Sequence, residues 1–552
     1  MAEEDYKPGQ LPYPEQDERK KFCLFHYKGV LLVLIPLLFS PILLGPEVHA
    51  YRMIYLTVCV YLYYIFNVMA QGAIAFIFIV FIPICGISTS KSLCTAHYSD
   101  LIFETYGAVF IGLAMESSKL NERLATIAIS FVGGNIRFLQ FLLFVIVAEL
   151  SFLFNASFVS AVFMKIAMAI VAEYNTAGIL TANSEEETYE RQAKPYPTWP
   201  VVGIYLTVCY ASTIGAMLSP FQNPNGIILT VFNLFMKAGV GGIIIAILLA
   251  HILGYIVAIL WIQIVFLGLF GGPVKEQVEA AAAGKDTMTK AMNDKKTAMG
   301  PWNIHAKLVA ILLWVTMIAL VLRSPQFTNG WDDEIHLARC GASVALIAAC
   351  ILFFAIPANY FFCRYYVCRE PEKPGTSPSL VGWKLVNSNT PWAHIFMLAA
   401  GHGFVVGLRD SKLLLLLQQM LVRKQLDLGY CLFLGSSLGT LFTFLAPGTA
   451  LARMTLMPMF KAGIQLRKGT GSVGIPYALS LHNQFLLPCS NASNTIVAGW
   501  GNLRPFQFII GGIVPCIFVF ASICIGIRAF GEFAFDGYLK VEDDDFKYTY
   551  KP

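Results

Sequence analysis

Charged residues are scarce in this chain. Asp, Glu, Lys and Arg make up 13% of its 552 residues and hydrophobic residues 57%, whereas a soluble domain carries about 25% charged residues. This is the composition of an all-α polytopic membrane protein. A β-barrel is excluded, because it would show short alternating segments and this chain has long apolar runs. From 238 to 272 there is no Asp, Glu, Lys or Arg. About 20 apolar residues span a bilayer, so this stretch predicts a long, tilted or broken helix. A cleavable leader is not expected. Residues 1–22 are polar, and the first apolar run, 29–45, has no small-residue cleavage site after it. It is expected to stay in the membrane as a helix.

Other absences narrow the function. Thirteen cysteines are scattered, mostly inside apolar runs, and their odd number without C-x-x-C spacing argues against a disulfide framework or a zinc site. Cys363 and Cys368 read as membrane-edge thiols. No Gly-rich phosphate loop, catalytic triad or metal-ligand cluster stands out. The expectation is therefore no enzyme and no organic cofactor. A net charge of +5 gives no reason to expect nucleic acid.

What is present is polar, helix-breaking sequence at membrane depth, twice. Ser219-Pro220-Phe221-Gln222-Asn223-Pro224-Asn225-Gly226 interrupts one apolar run, and Pro488-Cys489-Ser490-Asn491-Ala492-Ser493-Asn494-Thr495 another. Lipid cannot satisfy free backbone groups, so such breaks must be buried in protein or line a watery cavity. One break in each half of the chain points to a transporter's binding site.

The apolar segments predict about eleven transmembrane helices plus two re-entrant hairpins. A polar tail, 1–27, precedes a first membrane half, 28–272, with a hairpin near 135–172 and a broken helix near 200–236. A Lys-rich connector, 273–303, leads to a second half, 304–530, with a hairpin near 428–463, a broken helix near 474–503 and a tail, 531–552. The positive-inside rule puts Arg19-Lys20-Lys21, the connector and 363–391 in the cytosol, and 323–338, with Asp332, Asp333 and Glu334, outside. The acidic run Glu185-Glu186-Glu187 carries little topological weight. Each half contains a small-and-polar break followed by an Asn-bearing break: Phe154-Asn155-Ala156-Ser157 then Gln222-Asn223-Pro224-Asn225, and Pro447-Gly448-Thr449-Ala450 then Ser490-Asn491-Ala492-Ser493-Asn494. The pairing suggests internal structural repeats, which are often inverted in the membrane.

Several stretches, in order and spacing, resemble motifs of the divalent-anion/sodium symporter family, which includes sodium-coupled citrate, dicarboxylate and sulfate carriers. They are Ala114-Met115-Glu116 with Leu120 and Arg123; Tyr210-Ala211-Ser212-Thr213-Ile214-Gly215; Leu380-Val381-Gly382-Trp383-Lys384 with Pro391-Trp392; and Leu487-Pro488 followed by Asn494-Thr495-Ile496-Val497. The resemblance runs from about 28 to 535. It implies eleven membrane helices, two re-entrant hairpins, inverted repeats, a homodimer, and a mobile transport domain that carries an anion past a fixed scaffold. It further implies that hairpin-tip Ser-Asn-Thr motifs and the two unwound loops bind substrate carboxylates and sodium.

The tips depart from that pattern. Asn155-Ala156-Ser157 and Gly448-Thr449-Ala450 stand where the family has Ser-Asn-Thr, while Gly215, Pro224, Asn225 and Asn494 keep the family's identities. The candidate substrate-binding set is Asn155, Ser157, Thr213, Gly215, Asn225, Gly448, Thr449, Arg453 and Asn494. Asn155, Gly215, Thr449 and Asn494 are candidate residual sodium ligands. Such amides and hydroxyls suit carboxylates and sodium, and they equally glue membrane helices together.

Arg453 lies one helical turn past Thr449, where the family has Thr. Intramembrane charge is costly and usually marks function. Arg453 either supplies fixed positive charge in place of a bound sodium or snorkels to a helix end. Lys165 is expected to snorkel, and Glu149 is a candidate partner of Lys165 or Arg453. Glu116 and Arg123 are expected to form an ion pair. His402 either couples protons or packs in the interior. The reading is a secondary-active carrier of organic anions, di- or tricarboxylates, with elevator-type alternating access. It would sit in the plasma membrane by default, as a multi-pass protein with a cytosolic N-terminus. Alternatives are a non-transporting, receptor-like relative and a carrier of another substrate.

Overall fold

The computed structural model describes residues 15–184, 195–220, 222–235, 239–271, 273–323, 329–334, 340–361, 365, 367–369, 376–423, 427–467, 469 and 471–535. The acidic run 185–187, Phe221, Cys363 and residues 536–552 lie outside the described residues. The described chain is helical and contains no β-strand, only two isolated bridges.

The helices of the first half are α1 Glu15–Phe39, α2 Val48–Ile65, α3 Gln71–Ile84, α4 Ser90–His97, α5 Asp100–Ser117, α6 Leu120–Val132, α7 Ile136–Leu153, α8 Ala156–Thr176, α9 Trp199–Leu218, α10 Asn225–Phe235 and α11 Val240–Val265. The Lys-rich stretch forms α12 Pro273–Ala283 and α13 Lys285–Met299. Beyond it come α14 Ile304–Val321, α15 Trp331–Glu334, α16 Ala342–Ala355, α17 Trp383–Asn389, α18 Trp392–Asp410, α19 Leu413–Arg423, α20 Leu428–Leu445, α21 Gly448–Gln465, α22 Gly471–Ser480, α23 Ala492–Gly501 and α24 Pro505–Ala534.

Among the described residues, eight helices are long and apolar enough to cross a membrane, or nine with the bent pair α17–α18. That pair turns by 67° at Thr390-Pro391, because the residue before a proline is pushed out of helical geometry. α5 is as long as α7 but carries Asp100, Glu104 and Glu116, so it does not read as a plain apolar span. α3 and α16 are apolar but only 14 residues each.

The same arrangement occurs in both halves. α7 and α8 meet at Phe154-Asn155 and both pack on α9; α20 and α21 meet at Ala446-Pro447 and both pack on α22. Each packed-on helix then breaks: α9 ends at Leu218 and α10 starts at Asn225, while α22 ends at Ser480 and α23 starts at Ala492. α11 runs along α24, and α5 packs against α8 and α16. α9 is buried along nearly its whole length, including Tyr210 and Cys209. A helix apolar all round belongs in the core of such an assembly.

Candidate functional site

The breaks are held by side-chain amides, for a simple reason. The last carbonyls and first N–H groups of a helix have no partner within it, and at membrane depth no bulk water supplies one. At the α7–α8 break, Gln222 does both jobs. Its Nε2 donates to the carbonyls of Ser151 (2.5 Å) and Phe154 (2.7 Å), and its Oε1 accepts from Ala156 N (2.8 Å). Asn155 caps α8 by accepting from Phe158 N at 3.1 Å. At the α20–α21 break, Gln484 stands in the corresponding place, packed against Gly448.

The two broken helices are tied to each other. Asn225 Nδ2 donates to the carbonyls of Met217 (3.0 Å) and Ser219 (2.8 Å), and its Oδ1 lies 2.8 Å from His482 Nε2. Asn491 caps α23 and reaches across to Thr213 Oγ1 at 2.9 Å. Asn494 Nδ2 donates to the carbonyls of Gln484 and Leu487 and to Ser490 Oγ.

These loops border a cavity lined by Asn155, Ser157, Thr213, Gln222, Thr449, His482 and Asn491, together with Glu104 and Arg323. A second cavity adjoins it, sharing Leu101, Glu104, Asn223 and Thr449, and adds Asp100, His402 and Arg453. α8, α10, α21 and α23 all begin at this place. Helix N-termini carry partial positive charge and free N–H groups, so their convergence favours an anion.

The nine candidate residues separate into three groups. Asn155, Ser157, Thr213 and Thr449 line the first cavity together. Arg453 lines the second; it is exposed, and it has no hydrogen-bond or ion-pair partner among the described residues. Gly215, Gly448, Asn225 and Asn494 line neither cavity but stand one position from residues that do. Each of them makes close contacts with the surrounding backbone or loops. A Cβ at Gly215 would overlap the Ala148 carbonyl oxygen, and one at Gly448 would overlap Gln484 Nε2 and the Leu481 carbonyl oxygen. Asn225 and Asn494 spend their amide groups on loop carbonyls, although Asn494 Oδ1 is buried without a partner among the described residues, as is Thr449 Oγ1.

Three expectations about charge are corrected. Lys165 does not snorkel: its side chain is 4% exposed and its Nζ lies 2.6 Å from Glu116 Oε2. Glu149 is exposed and is not its partner. Arg123 does not pair with Glu116; its guanidinium donates to the carbonyls of Met299, Gly300 and Pro301 at the end of α13. His402 lines the second cavity beside Arg453.

The residue that sequence reasoning missed is Glu104. It is 8% exposed, and it accepts from Ser157 Oγ at 2.6 Å and from Asn155 Nδ2 at 3.0 Å. A lone acidic residue inside the apolar run 101–115 was the available signal.

Residues 21–534 match the family described as the sodium:sulfate symporter transmembrane region. The chain belongs to this family. It is 26% identical over 549 residues to "Protein I'm not dead yet" of Drosophila melanogaster, covering 95% of this chain and 92% of that protein. It is 24% identical to "Solute carrier family 13 member 2" of Oryctolagus cuniculus, covering 92% and 94%. It is 22% identical to the "Na(+)/citrate cotransporter" of Rattus norvegicus, covering 92% and 95%. The match of the sodium:sulfate symporter family spans both helix breaks and both broken helices. The protein is thus an all-helical, multi-pass member of a membrane transporter family.

Proposed function

We propose that this protein is a secondary-active carrier of organic anions, with di- or tricarboxylates as its substrates. The observation that carries this reading is the cavity where α8, α10, α21 and α23 begin, which gathers Asn155, Ser157, Thr213, Thr449 and Asn491 beside Arg323, with Arg453 in the adjoining cavity. Amide and hydroxyl donors, helix N-termini and two guanidinium groups are the chemistry that recognises carboxylates. Relatives whose names include citrate and dicarboxylate cotransport support the substrate class.

In this reading α7–α8 and α20–α21 are two re-entrant hairpins and the halves are inverted repeats, giving about eleven spans in a homodimer. The hairpins and broken helices slide together against the remaining helices, an elevator-type alternating access. The N-terminus and the connector 273–303 face the cytosol, and the plasma membrane is the default location. Arg453 supplies the positive charge that a bound sodium would bring, so transport runs without sodium. Asn155 Oδ1 already caps α8, which supports that view, because a capping oxygen is a poorer candidate for a cation.

Uptake of labelled succinate and citrate by proteoliposomes, in sodium and in choline buffer, tests both parts. Uptake in both buffers is expected. No uptake of either anion overturns the substrate reading. Strict sodium dependence that Arg453→Thr leaves unchanged overturns the charge-substitution reading alone.

A further inference from the structure

Glu104 presents a carboxylate to the donors that an incoming carboxylate would use. It projects from α5, not from the helix breaks. Yet Ser157 Oγ, at 2.6 Å, and Asn155 Nδ2, at 3.0 Å, both donate to its Oε1. Those side chains stand at the start of α8, where the helix adds its own positive end. Glu104 also borders both cavities.

We propose that Glu104 is an internal competitor that sets the affinity and charge preference of the site. This rests on the reading of the cavity as a carboxylate site. The tip donors are engaged with the protein's own carboxylate. A substrate carboxylate must take Asn155 and Ser157 from Glu104, and the displaced acid stays close by, facing Arg323. Two like charges side by side in a site shielded from water disfavour binding. That opposition rises with each negative charge on the ligand, so Glu104 weakens binding of a tricarboxylate more than of a dicarboxylate, and of a dicarboxylate more than of a monocarboxylate. Glu104 is thereby a specificity-determining residue, separate from the groups that hold the substrate.

Glu104→Gln separates charge from shape. The amide oxygen still accepts from Ser157 and Asn155, but the negative charge is gone. Binding of butyrate, succinate and citrate to detergent-purified protein is measured at neutral pH by calorimetry or by thermal shift. Relative to wild type, Kd is expected to fall by about tenfold for succinate, more for citrate and little for butyrate. A role in folding alone would move all three together. Glu104→Asp keeps the charge but is one methylene too short to reach both donors, so a smaller gain is expected. Unchanged or weaker succinate binding in a folded variant, or an equal gain for all three acids, overturns the proposal. If neither variant folds, Glu104 is a structural necessity, and that also overturns it. If the wild type binds none of the three, the substrate reading has failed instead.

Discussion

Lys165 and Glu116 join α8 to α5 through an ion pair whose two ends see different surroundings. The ammonium is 4% exposed and the carboxylate 39%. The ammonium also lies 4.0 Å from the centroid of the Trp500 ring, so α23 shares the contact. Removing one partner of a buried pair is costly when it strands the other's charge, and much cheaper when the survivor can rehydrate. Glu116→Ala is therefore expected to destabilise the fold by about 2–4 kcal/mol and Lys165→Met by about 1 kcal/mol. The double variant should be more stable than Glu116→Ala alone. Thermal unfolding in detergent checks the order of the three.

Gln222 offers a second test. Its side chain satisfies two carbonyls at the end of α7 and one N–H at the start of α8. Each buried polar group left unmade costs about 1–3 kcal/mol. Gln222→Leu keeps the volume and loses all three bonds, so a loss of roughly 3 kcal/mol or more is expected. Asn at 222 should recover part of it. Folded yield and melting temperature in detergent measure this.

How much of this was legible beforehand depends on range in sequence. The polar breaks were readable because bilayer chemistry forbids unsatisfied backbone wherever the sequence is exposed to lipid. Asn155, Ser157, Thr213 and Thr449 followed from residue type, and they line one cavity. Charge partners were not readable. Lys165 meets Glu116 across 49 positions and Asn155 meets Glu104 across 51. No spacing rule links such residues, because helix packing, not periodicity, brings them together. For the same reason Asn225 and Asn494 kept the family's identities, yet their amide groups serve the loops themselves.

Gly215 permits the close approach of α9 to α7. A methyl group there would collide with the Ala148 carbonyl, carbonyl carbon and Cα, all backbone atoms that no rotamer change can clear. Overpacking of this kind costs about 1–3 kcal/mol or more. Gly215→Ala is expected to lower thermal stability and to reduce uptake through fewer folded carriers. An unchanged melting temperature would show that α7 yields freely.

Arg453 carries the sharpest prediction about transport. It stands at the second cavity with Thr449, one turn from the start of α21, and no carboxylate among the described residues pairs with it. In the proposed reading, a guanidinium there without a partner meets a ligand's charge. Losing a charged hydrogen bond to a carboxylate costs about 1.5–3 kcal/mol, which is roughly a tenfold to hundredfold rise in KM. Arg453→Thr should therefore raise KM for succinate by that factor in choline buffer, and Arg453→Lys by less, because the ammonium keeps the charge but not the fork geometry. Maximal velocity should change little if Arg453 acts in binding alone. Adding sodium should not rescue Arg453→Thr, since the tip residues Asn155-Ala156-Ser157 and Gly448-Thr449-Ala450 remain as they are. Rescue by sodium would mean that a cation site survives at those tips and that the arginine supplements it rather than replaces it.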